Sequence, residues 1–211
     1  VIRYFWFTLA CSIYFFAGPA QGAVVKGKHC AAIQKAINQL PVSGGEVRVP
    51  EGTYLCRKPI VIERDNVRLR GEGAGTQLRL ANGANAPVII MGQAKAIPDT
   101  PVRNIAVTDL MIDGNRQNQS SECMGGPCSE DFPLRNNGIS IRHCYDCRVE
   151  RVTVHSASSG GLVTELTSRR LTIRDYTSYN NEFDGLAGYE TEESLFSGIH
   201  LYDNQAAGFS I

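Results

Sequence analysis

The spacing of apolar residues changes once along this chain. Between residues 29 and 40, Ala32, Ile33, Ala36, Ile37 and Leu40 recur three and four positions apart, which places them on one face of a helix. Pro41 and Ser43-Gly44-Gly45 then stop it. Beyond that point the apolar residues come in short alternating runs: Val47 and Val49, Ile60 and Ile62, Val67 and Leu69, Leu78 and Leu80, then Val88-Ile89-Ile90. Gly and Asn separate the runs, as in Gly71-Glu72-Gly73-Ala74-Gly75 and Asn82-Gly83, so the pattern predicts one helix followed by short strands joined by tight turns. The glycine-rich stretch leads into strand-like Leu78 and Leu80 rather than a helix, so it reads as a turn and not as a phosphate-binding loop.

The second half repeats. Gly138-Ile139, Gly161-Leu162, Gly185-Leu186 and Gly208-Phe209 fall at intervals of 23, 24 and 23 residues. Val149, Val152 and Val154 are matched by Ile173, Tyr176 and Ser178, then by Phe196, Ile199 and Leu201; Val107, Leu110 and Ile112 show the same spacing 42 residues before Val149. A unit of about 23 residues carrying several short strands cannot bury its own apolar side and must stack on copies of itself. Leucine-rich repeats require a Leu and Asn spacing that is missing, and helical repeats a 3.6-residue period that no unit shows. The prediction is an all-β parallel β-helix with an N-terminal capping α-helix, in which Ile139, Leu162, Leu186 and Phe209 stack at about 4.7–4.9 Å per coil. Asn181 and Asn204 are expected to form an amide ladder, and residues 23–45 to cover the first coil. Residues 115–137 read as a loop inserted between matched coils. The last residue, Ile211, lies three past Gly208 and inside a coil, so the β-helix domain of residues 23–211 is expected to be C-terminally incomplete.

Ala32-Ile33-Gln34-Lys35-Ala36-Ile37, Gly44-Gly45-Glu46-Val47-Arg48-Val49-Pro50-Glu51-Gly52-Thr53-Tyr54, Val67-Arg68-Leu69-Arg70-Gly71-Glu72-Gly73 and Ile112-Asp113-Gly114-Asn115 resemble the corresponding segments of pectate lyase-like proteins. The resemblance implies a right-handed parallel β-helix of the pectin lyase superfamily, many members of which cut, epimerise or bind acidic polysaccharides. It also implies that the sheet following each repeat Gly lines a sugar groove.

Composition narrows the compartment and the partners. Lys plus Arg (21) equals Asp plus Glu (21), so there is no global cationic field to collect nucleic acid or anionic membrane. Residues 1–22 run from Arg3 through an apolar stretch of 14 residues to Gly18-Pro19-Ala20-Gln21-Gly22, the three parts of a secretory signal and too short for a stable membrane span of roughly 20 residues. A lipoprotein site at Thr8-Leu9-Ala10-Cys11 is the weaker alternative, because the apolar run continues past the cysteine. Export to the periplasm or beyond makes disulfides the default for Cys30, Cys56, Cys123, Cys128, Cys144 and Cys147, and the pairing expected is Cys30 with Cys56, Cys123 with Cys128 and Cys144 with Cys147. The alternative is zinc, since the last four cysteines have spacings resembling a four-cysteine site. Oligomeric state is left open.

In the strand after each repeat Gly, alternation turns Ser140, Val163 and Ala187 outward and, two residues on, Arg142, Glu165 and Tyr189; His143 and Glu190 lie at strand ends and Asp184 just before Gly185. Eliminating or epimerising a uronate needs a base for the C5 proton and a cation for the carboxylate, and Arg142, His143 and Tyr189 are of suitable type. Hydrolysis needs paired carboxylates, for which Asp184 with Glu165 or Glu190 are available, but Asn181-Glu182-Phe183-Asp184 carries only one of the aspartates that polygalacturonases pair. Arg142, Glu165, Asp184, Tyr189 and His143 are therefore the catalytic candidates, with Ser140 and Glu190 as substrate contacts and calcium near Asp184 and Glu190 as a possible cofactor. The competing reading makes Arg142 and Glu165 a cross-strand charge pair in a noncatalytic, glycan-binding or surface module, with His155 and His200 as isolated surface or turn residues.

Overall fold

The computed structural model describes residues 22–120 and 134–211. The expected signal segment up to residue 21 and the Cys123 to Cys128 region lie outside the described residues. The chain winds through three parallel sheets. The first contains Gly22–Val24, Gly45–Arg48, Val67–Arg70, Ala106–Asp113, Arg148–His155, Thr172–Tyr179 and Leu195–Tyr202 in that order, with Gly52–Cys56 and Thr76–Leu80 alongside. The second contains Ile60–Ile62, Ile89–Met91, Ile139–Arg142, Leu162–Glu165, Leu186–Gly188 and Phe209–Ser210; the third consists of the two-residue strands Val102–Arg103, Cys144–Tyr145, Ser168–Arg169 and Thr191–Glu192. The protein is a parallel β-helix.

Its register follows the repeat. Ile139, Leu162, Leu186 and Phe209 are paired in turn, as are Val107, Val149, Ile173 and Phe196. Each Ile or Leu enclosed this way is worth about 1.5–3 kcal/mol relative to exposure. The early coils differ from the later ones: Ala106–Asp113 pairs along its first half with Val67–Arg70 and along its second with Thr76–Leu80. One long strand thus continues what the earlier coil builds from two short strands and the turn at Gly73–Gly75. The long strands keep a bend at Asp109, Arg151, Asp175 and Gly198, all at positive φ.

A second left-handed column, Asn66, Asn104, Asp146, Arg170 and Glu193, turns the chain into the first sheet. Asn and Asp tolerate this conformation best, and cross-coil bonds tie the column together: Asn104 Nδ2 donates to Asn66 Oδ1 (2.8 Å), and Arg170 grips Asp146 at 2.7 and 3.1 Å. The amide ladder forms as expected, with Asn181 Nδ2 donating to Asn204 Oδ1 at 2.8 Å.

The cap is helix α1, Cys30–Asn38, opened by His29, whose Nδ1 accepts from the Ala32 N–H (3.1 Å). Ile33 and Ile37 are buried over the first coil. Two polar side chains finish the exposed ends. Gln34 donates to Val61 O (3.0 Å) and accepts from Val61 N (2.7 Å), so its carboxamide stands in for a further strand at the edge of the second sheet. Arg64 donates to the carbonyls of Ile37, Asn38, Leu40 and Pro41, where the helix leaves acceptors unpaired. Cys30 and Cys56 form a disulfide that ties α1 to the strand Gly52–Cys56.

Candidate functional site

The outer face of the second sheet brings the expected residues together in two separate units. Arg142 and Glu165 are register partners, and Arg142 Nε donates to Glu165 Oε1 at 2.6 Å. The same guanidinium donates to Gln93 O (3.1 Å), Lys95 O and Ala96 O (2.9 Å) and is 3% exposed. Arg142 thus pins the 93–96 loop to the coil, and what stays open to solvent in this unit is Glu165. Ser140 is 1% exposed and accepts from Asn137 Nδ2 (3.0 Å), while Asn137 Oδ1 accepts from Gly160 N (3.0 Å), so Ser140 helps fix the corner before the strand.

The second unit is Asp184 with Tyr189. Tyr189 Oη donates to Asp184 Oδ2 (3.2 Å), and Asp184 Oδ1 accepts from Ala207 N (2.9 Å). Asp184 is buried and Tyr189 is 42% exposed, so the carboxylate anchors and the phenol is presented. His143 and Glu190 both occupy left-handed corners of the coil. His143 Nε2 lies 3.2 Å from Tyr145 Oη, which turns it toward the third sheet rather than toward Arg142.

A third constellation was not expected from the sequence. Arg79, Asp113, His155, Tyr179 and Tyr202 are register neighbours at the ends of first-sheet strands in successive coils. Arg79 Nη1 is 3.4 Å from Asp113 Oδ2, and His155 Nδ1 is 3.9 Å from Asp113 Oδ1. The His155 ring stacks on Tyr179 at 5.1 Å, and Tyr179 on Tyr202 at 4.8 Å, with planes within 13° and 6°. Burial holds the His155 pKa below its ordinary value, against the opposing pull of Asp113, and Arg79 adds to the lowering. Burial likewise raises that of Tyr179, helped by Tyr202 and Asp113. A cleft of about 190 Å³ opens beside the ladder, lined wholly by polar residues, Asp113, His155, Arg79 and Arg116 among them. The signal was present in the repeat: Asp113, His155, Tyr179 and Tyr202 each follow the last member of an aligned apolar triplet.

A concavity of about 930 Å³ lies beside α1, bordered by Lys28, Lys35, Arg57 and Lys58 and by no carboxylate. Cys144 and Cys147 form a disulfide, which removes two of the four ligands that the zinc reading required; that reading is corrected. Among the described residues no three of His, Cys, Asp or Glu converge on a metal position. No helix among the described residues is long and apolar enough to cross a membrane.

Residues 22–207 match the family described as rhamnogalacturonase A/epimerase, pectate lyase-like. The chain belongs to that family. Within this pectate lyase-like group it is similar to mannuronan C5-epimerase AlgE4 of Azotobacter vinelandii, 29% identical over 189 residues, which are 86% of this chain and 33% of the relative. Alginate lyase 7 of the same organism is 28% identical over 188 residues, 85% of this chain and 21% of the relative. Among solved structures, the A-module of AlgE4 superposes with a TM-score of 0.70 at 25% identity, covering 90% of this chain and 50% of the module. The pectate lyase-like chain thus spans a third or less of these two curated relatives and half of the solved module.

Proposed function

We propose that this chain is part of an exported protein that acts on an acidic polysaccharide by removing the C5 proton of a uronate unit, with epimerisation or elimination as the outcome. One observation carries the reading: an epimerase and a lyase each align over 85–86% of the chain. The two reactions share their first step, proton loss beside a carboxylate whose developing charge must be stabilised, and diverge only after it. The two disulfides support an oxidising, extracytoplasmic setting, with residues 1–22 as the secretory signal.

On this reading the polymer lies along the outer face of the second sheet. Tyr189, presented by buried Asp184, is the acid and base candidate; Glu165 and Glu190 contact sugar hydroxyls, and Arg142 keeps the loop wall in place. Incubating the full-length protein with polymannuronate and polygalacturonate, and following unsaturated ends by ultraviolet absorbance and C5 inversion by NMR, tests it. One of the two products is expected, and Tyr189→Phe should lower kcat by about 10²–10⁴-fold, the usual contribution of a positioned proton-transfer group. Reducing-end release without either product would overturn the reading in favour of hydrolysis, and binding without turnover in favour of a glycan-binding module.

A further inference from the structure

The ladder ending the first-sheet strands belongs to a different corner of the coil from the residues on the outer face of the second sheet. We propose that the cleft between Arg79, Asp113, Arg116 and His155 is a binding subsite for a single uronate unit. The inference rests on the acidic-polysaccharide reading above, and adds a site to it.

The size of the cleft comes first. At about 190 Å³ it falls below the roughly 300–1,000 Å³ of pockets for drug-sized ligands, the scale of one sugar ring rather than of an oligosaccharide. Its chemistry comes second. Two guanidinium groups border it. Arg79 is about half exposed and uses one terminal nitrogen on Asp113 (3.4 Å) and the other on Asn115 Oδ1 (3.1 Å). Arg116 faces Glu182 across 3.5 Å. Such planar forks suit a carboxylate, which accepts paired N–H bonds from them.

Asp113 supplies the matching acceptor for a sugar hydroxyl. It is held in place because its Oδ1 accepts from the Asn115 N–H at 2.8 Å. Asn115 is itself fixed, donating to Leu80 O and Asn82 Oδ1, both at 2.9 Å. His155 completes the wall. Its Nδ1 meets the Ser156 hydroxyl at 3.1 Å, whereas Nε2 has no hydrogen-bond partner among the described residues. The stack onto Tyr179 fixes the plane of the ring, so this nitrogen is held ready to bond a sugar hydroxyl. A preset wall of this kind avoids the ordering cost that flexible side chains carry on binding.

The test is an NMR titration of the full chain labelled at its four histidines. His155 reports on the cleft, and His143, at the corner directly after the strand Ile139–Arg142, on the edge of the second-sheet face. The probes are oligomannuronate and a neutral mannose oligomer of the same length. Oligomannuronate should shift the His155 ring signals and the neutral oligomer should not; Arg79→Gln should weaken that response at least tenfold, about 1.4 kcal/mol. Arg116→Gln, which leaves the Arg79 to Asp113 contact intact, should weaken it too, so misfolding of one variant does not decide the outcome. Shifts at His143 with none at His155 would overturn the subsite while leaving the polysaccharide reading standing. Silence of both histidines towards oligomannuronate would overturn both.

Discussion

Gly138, Gly161 and Gly185 show why a single residue type recurs at the 23–24 residue spacing. A Cβ on Gly138 would lie 2.6 Å from Gly161 O, one on Gly161 2.6 Å from Gly185 O, and one on Gly185 2.9 Å from Gly208 O. Each coil therefore excludes a side chain in the coil before it. Gly161→Ala would also meet Ser178 Oγ at 2.0 Å and Tyr176 Oη at 2.9 Å, so we expect it to destabilise the fold by about 3 kcal/mol, the upper end for overpacking, measurable by urea denaturation. His155 gives a pH signature. Its pKa in the folded protein is depressed, so below the ordinary value of about 6.5 the unfolded chain binds the extra proton first. The stability owed to neutral His155 is complete above that pH and declines as pH falls through it towards the folded-state value. Melting temperatures of His155→Phe, which keeps an aromatic ring against Tyr179, should show a flatter decline in that window than the wild type. At this scale the sequence was only partly legible. His155 looked isolated because its partners sit 42 residues before and 24 after it, and only strand register brings them into contact. Arg142 looked like a free groove cation because nothing in the linear order says that the 93–96 loop closes over it.

The elements depend on how their edges are finished. The first strand of the second sheet, Ile60–Ile62, would present unpaired backbone groups were it not for the Gln34 carboxamide. Gln34→Ala should cost about 1–3 kcal/mol, because it leaves a donor and an acceptor unpaired, and should raise hydrogen exchange first at Val61. The Cys30 to Cys56 disulfide closes a 26-residue separation between cap and coil; replacing both cysteines by serine should cost about 3 kcal/mol in thermal or denaturant unfolding. The helix and most strands follow from apolar period alone, since 3.6 and 2 are distinct signals. The third sheet does not, because its two-residue strands are too short to show any period. Nor does Gly22–Val24, which adds a rung where the sequence suggested only the entry to a cap.

At the scale of the whole molecule, every outward row is a column repeated once per coil, so chemistry is displayed in lines parallel to the solenoid axis. The columns on the second sheet and at the ends of the first-sheet strands are two such lines, and a linear acidic polymer is the kind of ligand that reads lines. The architecture was legible because stacking forces residues one coil apart into contact, which writes the fold into the sequence as a period. The chemistry was less so, since the same period appears whether an outward residue binds sugar or merely its neighbour. The most direct measurement uses polymannuronate carrying tritium at C5, incubated with the full-length protein. Release of tritium to water is expected, since epimerisation and elimination both begin by breaking that bond. Shortening of the polymer with its tritium fully retained would contradict proton abstraction at C5 and with it the proposed reaction.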